Sequence, residues 1–508
     1  MFRTGPPKVS AVQPAAILLL AMLAPGLVLL LGQAPAGSAV AWSEHWISAG
    51  AEPVTETTHL YLPLVMRAYR PPPPPPVYPN DPYYYTYGYQ WGLNKVRAPE
   101  AWALSTGYGV LIAVLDTGTD YNHPDLSGKV RTDIAWNFVN NNNDARDNNG
   151  HGTHVSGIAA AATNNSRGVA GMGWDASILP LKVLDSGGNG RTDQLISAIY
   201  YAADHGARVI NMSLAGTTWD NLCPSDVQTA ADYAYRRGIL LVAAAGNWPD
   251  IAQSPFPANC AHVLGVAATT SSDSLAWFSY SGDHVSVAAP GTSIYSTLPY
   301  TGYSYGYLDG TSMATPFVAG LAALVYARFP TYTPDQAASA ILDNAQDLGS
   351  TGWDIYYGCG RIDAFQALWE GARGDYPVCL GARVWSATGA GEQGSGGAGE
   401  PGGGGAEGQR GRGAEEQRSR GAEEQRSAGA GEVIPGEVVV TLRAGARAEA
   451  LFRAQGLETA GSLLYRARSG VQVWRLRVPV GQEEAVLARL RADPAVIAAD
   501  RNYRIRAQ

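Results

Sequence analysis

Three short segments, far apart in the chain, carry side chains that together can break an acyl bond. They are Asp116-Thr117-Gly118, His151-Gly152-Thr153-His154 and Gly310-Thr311-Ser312-Met313-Ala314-Thr315-Pro316. A serine hydroxyl is a weak nucleophile until an imidazole takes its proton during attack, and the imidazole needs a carboxylate to fix its tautomer and orientation. Asp116, His151 and Ser312 supply one such group each. Taken singly, Asp116 would serve equally as a helix-capping carboxylate, and His154 reads as a structural neighbour rather than a second base. The ordered set of three is what points to nucleophilic catalysis.

These groups need elements that bring them together. From residue 78 to residue 369 the chain alternates continuous apolar runs with amphipathic stretches. Val110–Leu115, Val209–Leu214, Leu240–Ala245 and Val263–Ala268 are apolar throughout, as strands covered on both faces must be. Thr192–His205 and Gln228–Arg237 read as helices between them. The pattern predicts an α/β fold, a parallel sheet with helices on both faces. Asp116 then ends the first buried strand, at the carboxyl edge where such sheets place their sites. His151 opens a helix running through Ile158-Ala159-Ala160-Ala161, and Ser312 opens a long apolar helix through Val318, Leu321 and Val325. A nucleophile at a helix N-terminus finds free backbone N–H groups and a dipole favourable to an oxyanion.

The rest of the chain brackets this domain. With 508 residues, 46% hydrophobic and 16% charged, the sequence has room for one large globular domain and one or two smaller ones. A net charge of −8 without a basic patch argues against nucleic acid as a partner. Residues 1–41 read as an export signal, with Arg3 and Lys8 ahead of an apolar run from Ala15 to Leu31 and a cleavage site at Ala39-Val40-Ala41. The alternative is an uncleaved anchor; Pro25 and Gly26 within the run favour the signal. A secreted, extracellular protein without stable membrane association after signal removal follows. Residues 42–77 are proline-rich, with Pro71–Pro76 predicted as a stiff polyproline II spacer and Leu60–Met66 apolar enough for one strand. Four cysteines suit an oxidising compartment and fall as two near pairs, Cys223 with Cys260 and Cys359 with Cys379, the favoured one of three connectivities. Residues 381–432 are mostly Gly, Ala, Glu, Gln and Arg, with Gly413–Ser419 repeated at Gly421–Ser427, and read as a flexible linker. Residues 433–508 read as a small α+β, ferredoxin-like module. Its strands are Glu437–Leu442, Val471–Val478 and Val496–Ile505, and its helices Ala446–Gln455 and Gln482–Arg491.

At this point a family likeness is visible. Residues 79–368 resemble the subtilisin-like serine proteases (subtilases), in their thermitase- and fervidolysin-like branch. The likeness rests on the three boxes in the order Asp, His, Ser. It rests also on Pro79-Asn80-Asp81-Pro82-Tyr83, Gln90-Trp91-Gly92-Leu93, Ser213-Leu214, Ala243-Ala244-Ala245-Gly246-Asn247 and Gly360-Arg361-Ile362-Asp363-Ala364. It implies a serine endopeptidase of broad specificity working through an acyl-enzyme on Ser312. Asp116, His151 and Ser312 would be the triad and Asn247 the side-chain donor of the oxyanion hole. The loss of one such donor costs about a hundred- to a thousandfold in rate. Peptide substrates would add as a strand between Gly188-Asn189-Gly190 and Ser213-Leu214-Ala215, beside Gly246, bound mainly through main-chain hydrogen bonds. Ala215 stands where the family usually has glycine, so its methyl is expected to trim the primary pocket against the largest aromatic residues. Trp248 is also bulkier than usual.

The resemblance further implies one structural Ca2+. Asp81, Asp125 and Asn165 match its side-chain ligands, with backbone oxygens at Ala162, Arg167 and Val169, a hard oxygen set that suits calcium. The branch's second site has Asn137, Asn140 and Asn142 in place of carboxylates, with Asp144 and Asp147 remaining, and no second ion is expected. Residues 435–508 resemble the family's prodomain, through Pro435-Gly436-Glu437-Val438, Asp493-Pro494-Ala495-Val496 and Ala499-Asp500-Arg501-Asn502-Tyr503. That module normally precedes the protease; here it follows. Three readings are open: an intramolecular chaperone and inhibitor acting from the C-terminal side, a remnant of a duplication or gene boundary, and an unrelated binding module. A linker of about 50 residues spans on the order of 40 Å, which lets Asn502–Gln508 lie in the cleft like a product, at an effective concentration of about a millimolar. A catalytically silent peptide-binding protein is a different class of function, disfavoured by the intact boxes and Asn247. A maturation protease with a single substrate has no feature in its support.

Overall fold

The first apolar run forms a strand, β1 (Leu111–Asp116), buried at every residue. Its side chains sort into two cores: Ile112 and Val114 face one, Leu111, Ala113 and Leu115 the other. A strand with apolar partners on both sides needs helices on both faces. The computed structural model, which describes residues 71–247, 254–299, 304–375, 377–379, 432–457 and 461–508, has that arrangement. The predicted export signal, the Leu60–Met66 strand, the linker up to residue 431 and Trp248 lie outside the described residues.

Seven strands make a parallel sheet in the order β2 (Trp136–Asn137), β3 (Ser177–Lys182), β1, β5 (Val209–Met212), β7 (Leu240–Ala244), β8 (Val263–Thr269) and β9 (Val287–Pro290). Outside it lie two short strands, β4 (Asn189–Arg191) and β6 (Leu214–Ala215), and an antiparallel hairpin of β10 (Ile294–Leu298) and β11 (Ser304–Leu308). Three short helices, α1 (Pro82–Tyr85), α2 (Trp91–Lys95) and α3 (Ala98–Trp102), lead into β1. On one face α4 (His151–Ala160) and α7 (Thr311–Arg328) bring Val155, Ile158, Val318 and Leu321 against Ile112 and Val114. On the other, α5 (Thr192–Asp204) and α6 (Ser225–Tyr235) bring Leu195, Ile199 and Val227 against Leu111, Ala113 and Leu115. Two further helices, α8 (Pro334–Leu342) and α9 (Ala364–Glu370), close the domain. Both near cysteine pairs are bonded, Cys223–Cys260 with Cα atoms 5.1 Å apart and Cys359–Cys379 with Cα atoms 5.9 Å apart.

Helix α7 is buried from Thr311 to Tyr326, as a helix apolar all round must be. Pro316 sits inside it and has no N–H to offer the carbonyl of Ser312, four residues back. The hydroxyl of Ser213 donates to that carbonyl instead, at 2.9 Å. The proline of the third box thus opens a cross-link between the start of α7 and the segment after β5.

The C-terminal module runs β12 (Val433–Leu442), α10 (Ala448–Ala454), β13 (Gly461–Arg466), β14 (Gln472–Arg477), α11 (Glu483–Arg491) and β15 (Val496–Ala507). This is the βαββαβ order of a ferredoxin-like fold, with antiparallel pairing in the order β13-β14-β12-β15. Val438, Val440 and Leu442 face its own helices through Leu451, Phe452, Leu487 and Leu490. Val439, Val473 and Tyr503 face the other way and join the core under α5 and α6. Strand β13 is absent from the sequence reading: its residues are exposed or half-buried, so no apolar run marks it. β15 runs past the expected Ile505 to Ala507, because its last residues pair with β4 and β6 rather than within the module.

Candidate active site

Asp116 is the last residue of β1 and fully buried. Its Oδ1 accepts the backbone N–H of Thr117 at 2.7 Å and lies 2.8 Å from Nδ1 of His151. His151 is the first residue of α4, with its side chain 13% exposed. The next residue must be glycine, since a Cβ on Gly152 would collide with the carbonyl of Gly118. Nε2 of His151 points to the carbonyl of Gln508, 3.3 Å away. Burial works against a charged imidazolium, but Asp116, the Gln508 carbonyl and Asp147 outweigh it and hold His151 above the ordinary histidine value. His154 behaves differently. Burial pushes it down to about 3, its Nε2 meets the Gly306 carbonyl at 3.1 Å, and it stays neutral.

Ser312 is the second residue of α7 and fully buried. Its hydroxyl donates to the Ser213 carbonyl at 2.9 Å and accepts the N–H of Gln508 at 3.0 Å. Asn247, at the end of the loop after β7, is fixed by its Oδ1, which accepts the N–H and hydroxyl of Thr311 at 2.9 and 2.8 Å. That turns its Nδ2 towards the cleft. A Cβ built on Gly310 would lie 3.3 Å from that nitrogen and 2.9 Å from the main-chain carbonyl oxygen of Gln508, so both groups border the space above Gly310. Gly246 donates its N–H to the Thr311 hydroxyl at 3.2 Å, holding the loop to α7.

The end of β15 fills the cleft as an added strand. Arg504, Ile505 and Arg506 pair antiparallel with Arg191, Gly190 and Asn189 of β4, while Arg506 and Ala507 pair with Ala215 and Leu214 of β6. The N–H of Ala507 reaches the Gly188 carbonyl at 3.0 Å and that of Gln508 the Ser213 carbonyl at 3.4 Å. Gly188, Asn189, Gly190, Ser213, Leu214 and Ala215, six of the residues expected to bind substrate, therefore line this strand, whereas Gly246 packs against Thr311 and Tyr280. Gly190 permits the approach: its ideal Cβ would lie 3.2 Å from the side chain of Ile505 and collide with the Val183 carbonyl. Behind the strand, the module caps two helices of the larger domain. Asn502, fully buried, accepts the N–H of Asp193 and the hydroxyl of Thr192 at 3.2 and 2.9 Å, at the start of α5. Asp500 accepts the N–H and hydroxyl of Ser225 at 3.0 and 3.1 Å, at the start of α6, where a carboxylate also meets the helix dipole. Arg475 reaches the buried Asp193 at 3.2 Å, and Tyr465 donates to Asp204 at 2.9 Å. Asp500 and Asn502 stand in the prodomain-like segment read from the sequence, but their capping roles carried no signal there, because a cap supplied by a distant segment leaves no local pattern.

The residues expected at the ion site also converge. Asp81 and Asp125 are fully buried. Asp81 accepts the N–H groups of Asn164 and Asn165 at 2.7 and 3.1 Å, and Asp125 those of Val169 and the Asn165 side chain at 2.8 and 2.9 Å. Arg167 donates its N–H to Asn165 Oδ1 at 2.8 Å, and Ala162 donates its N–H to the Asp125 carbonyl at 2.7 Å. Burial, with a smaller push from Asp125, raises Asp81 to about 6. Among the described residues no group of three or more His, Cys, Asp or Glu is placed to hold a metal. In the neighbouring loop Asn137 and Asn142 accept backbone N–H groups of their own turn.

A buried carboxylate on a histidine, a serine at a helix N-terminus and a peptide-like strand across the carboxyl edge of a parallel sheet are the working parts of a serine peptidase. Comparison with known proteins narrows that class. The Subtilase family model matches residues 107–360, and the chain belongs to that family. Thermitase from Thermoactinomyces vulgaris is 44% identical over 290 residues, 57% of this chain and 99% of that protein. Subtilisin E from Bacillus subtilis (strain 168) is 40% identical over 283 residues, covering 55% of this chain and 71% of that protein. A protease structure from Pseudoalteromonas arctica PAMC 21717 aligns with a TM-score of 0.52 and 33% identity, over 57% of this chain and 99% of that one. The protein is accordingly a serine endopeptidase. The C-terminal module lies beyond the residues the family model matches.

Proposed function

We propose that the protein is a secreted endopeptidase of broad specificity, acting through an acyl-enzyme on Ser312, and that its own C-terminal module inhibits it by filling the cleft. The observation that carries this reading is the seating of β15 between β4 and β6, with Gln508 against both His151 and Ser312. In the proposed reaction His151 takes the Ser312 proton as Oγ attacks the substrate carbonyl. The oxyanion is held by the Ser312 N–H and Asn247 Nδ2. His151 then returns the proton to the leaving amine, the ester remains on Ser312, and water, deprotonated by His151, releases the acid. Breadth follows from recognition of the main chain: Gly188, Asn189 and Gly190 on one side and Ser213, Leu214 and Ala215 on the other offer backbone partners to any extended peptide. Casein incubated with the secreted protein, with its fragments mapped by mass spectrometry, tests the breadth. Cuts after chemically unlike residues are expected; cuts confined to one residue type contradict it.

Calcium is assigned to Asp81, Asp125 and Asn165, with the backbone oxygens of Ala162, Arg167 and Val169. The residues fit such an ion: two fully buried carboxylates stand close enough to repel one another, and no cationic side chain pairs with either among the described residues. A bound cation would remove that repulsion and tie α1 to the loop after α4, with no part in the chemistry. Saturating Ca2+ at about a hundred times its Kd is worth about 2.7 kcal/mol, so for a domain of about 300 residues chelation should lower Tm by about 4 °C. Calorimetry of the native chain and of Asp125→Asn checks this. A native Tm indifferent to chelator, or an Asp125→Asn chain that responds like the native one, contradicts the assignment.

A further inference from the structure

We infer that Asp147 is a positioning residue that sets the distance between Asp116 and His151. The sequence places Asp147 among the remains of an ion loop, but the structure gives it other work. Its Oδ1 accepts the hydroxyl of Thr117 at 2.9 Å and the N–H groups of Asn149 and Gly150 at 2.9 and 3.0 Å. Its Oδ2 accepts the N–H and hydroxyl of Thr153 at 2.9 and 2.6 Å. One carboxylate thus binds the loop after β1, the turn before α4 and the first turn of α4, the three segments that carry or flank Asp116 and His151.

Thr117 completes the link. Its Oγ1 donates to Asp147 and accepts the N–H of Gly152, next to His151, at 2.9 Å. Its own N–H holds Asp116 Oδ1 at 2.7 Å. Asp116 Oδ2 is buried with no hydrogen-bond partner among the described residues. The orientation of that carboxylate therefore rests on Oδ1 alone, through Thr117 N–H and the His151 ring, and Asp147 bonds the Thr117 side chain and the residues on either side of His151. Lys182, opposite Asp116 in the β1–β3 register, donates to the Thr117 carbonyl and to Asn148 at 2.9 Å, locking the same two loops from below. The charged and titratable groups facing His151 are Asp116, Asp147 and His154, with the Gln508 carbonyl beyond. The Asp147 charge is one of those that keep the imidazole above its ordinary value.

A capping residue with no catalytic bearing and a positioning residue differ in what their loss changes. A shift of about 1 Å in a catalytic group can cost about a hundredfold. In the full chain, Asp147→Asn is expected to lower kcat on a peptide amide at least about tenfold, with KM unchanged. The His151 resonance, among the eight histidines labelled at Cε1, should titrate at lower pH. Thr117→Val, which keeps the charge but cuts the link, should lower kcat likewise with the His151 titration unmoved. The titration does not depend on turnover, so its outcome is separate from that of the acyl-enzyme reading. Native kcat in Thr117→Val overturns the inference. So does an Asp147→Asn chain that loses only Tm, with native kcat and His151 titration. If Asp147→Asn does not fold, Thr117→Val alone decides.

Discussion

Ser312→Ala should leave a folded protein whose kcat on a peptide amide is lower by about a millionfold, the scale on which a serine-protease triad fails when its nucleophile is removed. The fold should survive because little rests on the hydroxyl. It donates to the Ser213 carbonyl and accepts the Gln508 N–H, bonds worth about 1 kcal/mol each. The backbone cross-link from Ser213 to the Ser312 carbonyl stays. What remains is substrate held against Asn247 and His151 with nothing to attack it. Because the groups act as a unit, His151→Ala should fall about as far, and the double variant little further. Hydrolysis of a fluorogenic peptide, followed for each variant with circular dichroism as the check on folding, measures this. A Ser312→Ala protein that still digests casein would move the chemistry elsewhere.

Arg506→Pro should raise the initial rate on small peptides by about a thousandfold. Arg506 is the residue of β15 paired with both Asn189 and Ala215, and its side chain reaches Glu432 at 2.8 Å. Proline there removes a backbone donor and disrupts pairing on both sides. The body of the module stays anchored by Asn502 and Asp500 on α5 and α6 and by Arg475 on Asp193, so the loss is confined to the cleft. A tethered strand works at an effective concentration of about a millimolar. If the strand alone bound with micromolar affinity, it would block the site about a thousandfold, and that factor is what release should return. Equal rates for the native and Arg506→Pro chains would leave β15 without an inhibitory role.

The catalytic core was legible because its signals are local. Continuous apolar runs identify strands buried on both faces, and each box sits at an element's end, where the helix or strand that follows fixes its side chain. Pro316, inside α7, marks the point where Ser213 replaces a lost intrahelical bond. The start of α6 shows the limit. Helical periodicity suggested Gln228, yet the helix begins at Ser225, whose N–H is satisfied by Asp500 from the module. Asp147 was legible only as a carboxylate in an asparagine-rich loop. Its five bonds come from segments that the fold, not the sequence, brings together. β13 hid for a different reason, since an exposed edge strand needs no apolar run.

In the proposed function the site around Ser312 is complete and covered by the chain's own strand. The most direct measurement of this is the rate at which a fluorophosphonate labels the full-length protein, with the adduct located by mass spectrometry, in native and Arg506→Pro chains. A single adduct on Ser312, slow in the native chain and about a thousandfold faster in the variant, is the predicted result. Equally fast labelling of both chains, or an adduct on another residue, would contradict it.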